Sequence, residues 1–196
     1  MPRSSLVTPP AVEPVTLAEV KAHLRLTTDA DDDALALFIP AARQEAEAFT
    51  GRAFLEQTWA LTLDTREIPT NGVRALVLPK APLLGIDSVQ TFAANDTATT
   101  LDPASYRAEV AYEPGRLALR ETSSWPLPGR STSGFVVTYR AGYGSDRASV
   151  PAALRLAVLH LVAHAYEHRG DESGAPARSA VAESLLRPFR LLGGRV

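Results

Sequence analysis

The spacing of apolar residues changes twice along this chain of 196 residues. It follows a period of about 3.6 up to residue 53, shortens to about 2 between Phe54 and Tyr143, and returns to about 3.6 from Pro151. The longer period is typical of an amphipathic helix, and the shorter one of a strand whose side chains alternate between core and solvent. The chain is therefore predicted to carry helices on both sides of a β segment.

These patterns predict an α+β fold, in which a small helical bundle with a C-terminal helical tail is interrupted by an antiparallel β insertion. We expect residues 1–53 and 144–170 to form the bundle, 54–143 the β insertion, and 171–196 a C-terminal docking tail. Six short strands at hairpin spacing make up the expected insertion. Their sequences are TWALTL, VRALVLP, DSVQTFA, YRAEV, RLALRE and FVVTYRA.

Helix boundaries are marked by capping signals. Thr16 and Glu19 have the spacing of a capping box and predict a short helix over 16–26. The acidic run DADDD precedes a second predicted helix over 32–50, with Gly51 placed to cap its C-terminus. Pro151 suits the first turn of the next long helix.

Composition limits the classes of partner. No stretch approaches the roughly 20 apolar residues that span a bilayer, so we expect no membrane partner. The chain has no cysteine, which removes disulfides and thiolate metal sites. A formal net charge of -2 argues against a broad surface that binds nucleic acid. The N-terminus has no apolar region typical of a secretory signal, so nothing argues for export, and the lack of cysteine fits a reducing, cytosolic setting.

Three of the four histidines, His160, His164 and His168, are spaced four residues apart on the predicted third helix. The spacing of His160 and His164 suits one metal ion, but Leu161 stands where a zincin has its catalytic glutamate. His160 and His168 would lie about 12 Å apart along the axis. We therefore predict no metal and no cofactor, and interpret the three imidazoles as a stripe that faces a polar seam or a neighbouring subunit. His23, on the first helix, would come near this stripe only through chance packing.

The residues alone leave two functions open, a metal-dependent hydrolase and a nucleic-acid-binding module. A metal-dependent hydrolase would use His160 and His164, with Glu167 and His168 nearby. A small cytosolic nucleic-acid-binding module would use aromatic and arginine side chains such as those around Trp125. The sequence shows no nucleophile elbow, phosphate-binding loop or dinucleotide-binding fingerprint, so we do not expect an enzyme.

The C-terminus is unusually apolar for a chain end. It ends in AVAESLLRPFRLLGGRV, in which Pro188 interrupts a short apolar segment. An apolar terminus of this kind is expected to dock on another surface.

Several segments, taken in order, resemble the head-tail connector, or adaptor, proteins of long-tailed phages and gene transfer agents. The similarity extends from Pro14 to Arg190. The segments that carry it are PVTLAEVKAHLRL, AARQEAEAFTGRAFLEQTW, LPKAPLLGIDSV, YRAGYG, VPAALRLAVLHLVAHAYEHRG and SLLRPFR.

This resemblance implies a structural role in the neck of a virion or phage-like particle, which we expect to be assembled in the host cytoplasm. Connectors of this family form a ring, usually of twelve subunits, between the portal protein and a stopper or tail-joining protein, and DNA passes through the channel only in transit. The resemblance also implies that the tail docks on the portal and becomes ordered there. The expected docking residues are Leu185, Leu186, Pro188, Phe189 and Arg190.

Overall fold

A computed structural model describes residues 3–69, 72–170 and 179–191 of the chain. The described residues divide into two compact units, each with its own secondary structure. Residues 10–55, 144–170 and 179–190 form a helical unit, and residues 3–9, 56–69 and 72–143, with residue 191, form a β unit. The α+β class predicted from the sequence is confirmed.

The helical unit contains helices α1 (Leu17–Leu24), α2 (Asp32–Thr50), α3 (Ala152–Glu167) and α4 (Ala180–Leu186). Helix α3 packs against each of the other three helices, and its buried residues form one stripe along the helix. The predicted capping box is present at α1, and Gly51 closes α2 in the left-handed conformation at φ 77°. The buried residues of α3 are Leu154, Ala157, Val158, Leu161 and Val162.

The β unit contains two antiparallel sheets. Its strands are β1 (Arg3–Thr8), β2 (Gln57–Leu63), β3 (Ala75–Val77), β4 (Leu83–Phe92), β5 (Ala98–Thr100), β6 (Tyr106–Glu109), β7 (Arg116–Leu119) and β8 (Phe135–Ala141). The larger sheet has the order β1-β2-β8-β4-β5, and the smaller one β3-β7-β6. Alternate residues of the central strand β8 are buried, as a period of two requires.

All six predicted strands are present, as β2, β3, β4, β6, β7 and β8. Two strands were not predicted. Residues 3–8, which we expected in the bundle segment, form β1 and pair with β2 in the sheet instead. Every side chain of β1 and of β5 is exposed, so neither strand has the alternation of buried and exposed residues that marks a strand in sequence.

A largely buried ion network connects α2 with the segment that precedes α1. The Arg43 guanidinium donates to Glu13 and to Glu47 at 2.8 Å each, and only 6% of the Arg43 side chain is exposed. Glu47 also accepts the backbone N–H of Phe54 at 2.8 Å. Burial acts to lower the pKa of Arg43, but its two carboxylate partners raise it overall, so the charged form is favoured.

The acidic run at the start of α2 pairs with basic and phenolic side chains in α1, in α3 and just after α3. Lys21 of α1 binds Asp29 and also Asp32, the latter at 2.8 Å. Asp31 accepts the Tyr166 hydroxyl at 2.7 Å and Arg169 at 2.6 Å, and these two hydrogen bonds lower the pKa of Asp31. The side chain of Asp31 makes no capping hydrogen bond to α2. Through the contacts with Lys21 and Tyr166, the acidic run instead joins α1 and α3 to the start of α2.

Candidate interaction surfaces

The C-terminal docking residues predicted from the sequence lie at the end of α4 and in the short 3-10 turn Arg187–Phe189 that follows it. Ser179 caps α4 by accepting the backbone N–H of Ala182. Leu186 is completely buried, and α4 packs against α3 and α2. This part of the chain therefore packs against its own helical unit.

Two contacts hold the turn to the end of α2. Arg52, only 8% exposed, donates its Nε–H to the backbone carbonyl of Phe189 at 2.6 Å. The Arg190 guanidinium lies 5.3 Å from the ring centroid of Phe49, within reach of a cation–π interaction. Residues 179–190 thus form a helix and a turn that pack against the helical unit of the same chain.

The five predicted docking residues differ in exposure. Pro188 and Arg190 are exposed, Leu185 and Phe189 are half-buried, and Leu186 is buried. Leu186 was expected at a docking surface but contributes to the helical core instead, because its position on α4 faces α3 and α2. An open groove of about 610 Å³ runs beside the exposed residues. It is lined by Ala180, Glu183, Ser184, Arg187 and Pro188.

The predicted histidine stripe is split into two pairs. His160 contacts His23 of α1 edge to face, with ring centroids 5.1 Å apart, and His164 lies 4.2 Å from His168. His23 is brought to α3 by its own helix, because Arg155 of α3 hydrogen-bonds Glu19 of α1 and the carbonyl of Pro14. His23 therefore does meet the stripe, through the packing of α1 against α3, to which the Arg155 hydrogen bonds contribute.

A polar cavity of about 370 Å³ lies beside these rings. Burial, and then the nearby His23, lower the pKa of His160, so its neutral form is favoured. Among residues 3–69, 72–170 and 179–191, no group of three or more histidine or carboxylate side chains has the geometry to hold a metal ion. The cavity is lined by His23, Leu24, Arg25, His160, Ala163, His164, Glu167 and Ser179.

A further surface, not predicted from the sequence, is formed by the two edges of the larger sheet. Strands β1 and β5 end this sheet on opposite sides, and all of their residues are exposed. Leu6 and Val7 of β1 are 45% and 55% exposed. The only sequence signal for β1 was a short run with two β-branched residues, Val7 and Thr8, that stops at Pro9.

The length of the helices and the similarity to known proteins indicate which class of protein carries these surfaces. Within the described part of the chain, no helix combines the length and apolarity needed to cross a bilayer. The profile of a protein family described as "Head completion protein" matches residues 13–177, most of the chain. The chain belongs to the head completion protein family. The predicted membership of a head-tail connector family is thereby confirmed.

This head completion protein is also similar over its whole length to chains of solved structures. One structure is described as the neck of an empty GTA particle computed with C6 symmetry. Its chain is 26% identical with a TM-score of 0.80, and the match covers 99% of this chain and 100% of that one. Another is the virion of a native gene transfer agent (GTA) particle, 25% identical with a TM-score of 0.77, covering 98% and 99%.

A third structure, the neck of a native GTA particle computed with C12 symmetry, shares the fold of this head completion protein. It is 24% identical with a TM-score of 0.74, and the match covers 100% of both chains. No curated protein matches the chain.

Proposed function

We propose that this protein is a structural head-tail connector that forms a ring in the neck of a phage or gene transfer agent particle. The observation that carries the proposal is the match, over 99% of this chain, to a chain in the neck of an empty GTA particle. Membership of the head completion protein family supports the same role. The role is structural and not enzymatic, and the ring lies between the portal and the tail-proximal joining proteins.

The ring surrounds a channel through which DNA passes. The similar neck structure is described with C6 symmetry, and a cyclic ring requires each copy to present two different surfaces that fit each other. We propose twelve copies, the number usual for the family that the sequence resembles. The near-neutral formal charge of -2 suits a channel that lets DNA pass and does not retain it.

The portal contact is proposed for the exposed part of the segment predicted from the sequence. Pro188 and Arg190 face outward, and Leu185 and Phe189 are partly accessible beside them. Leu186 supports this surface from inside the helical unit. The histidine stripe, His160, His164 and His168, remains a proposed subunit contact, with His23 now part of its surroundings.

The double variant Pro188→Glu/Arg190→Glu tests the portal contact. Both side chains are exposed, and the variant loses the Arg190–Phe49 contact but keeps the Arg52–Phe189 hydrogen bond, so we expect the turn to stay folded. Two new carboxylates at the contact should prevent attachment to the portal. The matched control is Val181→Glu, which lies on α4 just before the turn and is 52% exposed. Electron microscopy of particles should show heads without tails for the double variant and complete particles for the control.

Complete particles from the double variant, with the protein present at the neck, would show that the portal contact lies elsewhere. Absence of the unaltered protein from the neck of purified particles would contradict the connector role itself. Immunogold labelling of the unaltered protein separates these two results.

A further inference from the structure

The outer edge of β1 lacks a partner within the described residues. Strand β1 pairs with β2 on one side, and no described strand lies on its other side. All six of its side chains are exposed, so the strand buries no side chain on either face of the sheet. A strand edge with unpaired N–H and C=O groups is a template for pairing with another chain.

The opposite edge of the same sheet is open in the same way. Beyond the three residues of β5, the backbone bonds from Ala93 to Thr97 and from Leu101 to Val89 extend the pairing with β4 over residues 97–101. Residues 97–100 are exposed, and three of them are threonines, which favour extended backbone. This edge therefore offers about the same length of backbone as β1.

Few of the usual safeguards against edge pairing are present on these strands. Natural edges are protected by charged side chains, prolines, bulges or a covering element. Arg3 is the one charged residue in β1, and residues 97–101 carry neither a charge nor a proline. The bulge in β1 falls between Leu6 and Thr8, which leaves Arg3–Leu6 in regular pairing with β2.

We propose that β1 of one copy pairs with the β5 edge of the next copy, so that the larger sheets of neighbouring subunits join. This inference rests on the proposed ring, because a cyclic assembly needs two different surfaces on each copy and this sheet has two open edges. Successive strands of the sheet are antiparallel, so β1 and β5 point the same way. Pairing between copies in one orientation around the ring is therefore parallel.

Backbone pairing explains how such exposed strands serve assembly. The affinity comes from main-chain hydrogen bonds, which need no deep complementary side-chain pocket. Pairing also covers Leu6 and Val7, whose apolar side chains are about half exposed in the isolated chain. The partner is thus a second copy of this chain.

Because the chain has no cysteine, engineered pairs of cysteines test the contact without disulfides from native cysteines of this chain. Ser5→Cys combined with Thr99→Cys places one thiol on each edge, and single-residue shifts of either position cover the neighbouring registers. Within one copy the two edges are four strand spacings apart, roughly 19 Å, which is too far for a disulfide. We expect oxidised particles to give a ladder of cross-linked oligomers on denaturing gels.

The control pair is Ser5→Cys with Leu127→Cys, whose second site is 80% exposed but lies outside both edge strands. It should give no ladder. A normal neck ring in which none of the β1–β5 pairs cross-links would overturn the edge contact while leaving the connector role intact. If the unaltered protein is not present in several copies at the neck, the proposed function fails instead.

A second variant asks whether the edge is needed for assembly. Leu6→Lys/Val7→Lys puts two charges on β1, where little is buried, so the isolated chain should fold normally. We expect it to be lost from the neck, whereas Leu127→Lys/Val110→Lys, which changes two exposed apolar residues elsewhere in the β unit, is retained. Retention of the β1 variant at the level of this control would contradict the proposal.

Discussion

Replacing Arg43 with methionine tests how far the helical unit depends on its buried ion network. Methionine keeps much of the apolar stem but removes the guanidinium that binds Glu47 at 2.8 Å. Only 6% of the Arg43 side chain and 7% of the Glu47 side chain are exposed. Removing one partner of a buried ion pair costs about 3–5 kcal/mol, because the other charge stays buried. We expect about 3 kcal/mol, since Glu47 still accepts the Phe54 N–H.

A double-mutant cycle separates the ion pair from general packing. Glu47→Gln keeps an oxygen for Phe54 but removes the charge, and we expect it to cost about 2 kcal/mol. The double variant Arg43→Met/Glu47→Gln leaves neither charge of this pair behind, so it should also cost about 2 kcal/mol, well below the sum of the single changes. Glu13→Gln, at a carboxylate that is 29% exposed, is the milder control at about 1 kcal/mol or less.

The assay is urea unfolding followed by far-UV circular dichroism, which reports mainly on the helices. Equal slopes of free energy against urea concentration are needed for the comparison between variants. Additive losses in the cycle, or a loss of less than about 1 kcal/mol for Arg43→Met, would refute the view that the pair stabilises the unit by mutual neutralisation.

Further predictions concern the helix caps, the tail and acid. Thr16→Ala should cost about 1 kcal/mol in urea unfolding, because the hydroxyl caps α1 by accepting the Glu19 N–H at 3.1 Å. Gly51→Ala should cost about 1–2 kcal/mol in the same assay, since φ is 77° there. Leu186→Ala should cost about 3 kcal/mol by opening a cavity, as expected for a core residue and not for a docking residue. Burial lowers the pKa of His160 below the ordinary 6.5, so the unfolded chain binds a proton at this residue more readily than the folded chain does. Thermal melts should therefore show that stability falls as the pH drops through about 6.5. The variant His160→Gln should weaken that pH dependence.

Some features of the fold could be predicted because they depend on local periodicity and capping. The α2 helix was predicted with the observed limits, since the acidic run and Gly51 mark its ends. Six strands were predicted because their residues alternate or are strongly apolar. Strands β1 and β5 were not, because an exposed edge strand buries neither face and leaves no periodic signal.

The interaction surfaces could be predicted from the sequence pattern much less well than the helices and strands. An apolar C-terminus predicts burial against some partner, but it does not tell whether that partner is the chain itself. The structure places Leu186 inside the helical unit and leaves Pro188 and Arg190 outside. Similarly, the spacing of His160 and His164 follows from the helix, whereas the contact with His23 depends on how α1 crosses α3.

The sequence by itself determined the α+β class, the order of the helices and of six strands, and the family, because each depends on residues close together or on motifs in order. Only the tertiary structure decided which apolar residues are covered and which strand edges stay open. Both depend on contacts between residues far apart in the chain, such as β1 with β2 and α4 with α3. Local sequence carries little information about such contacts, because many partners satisfy the same apolar side chain or the same backbone edge.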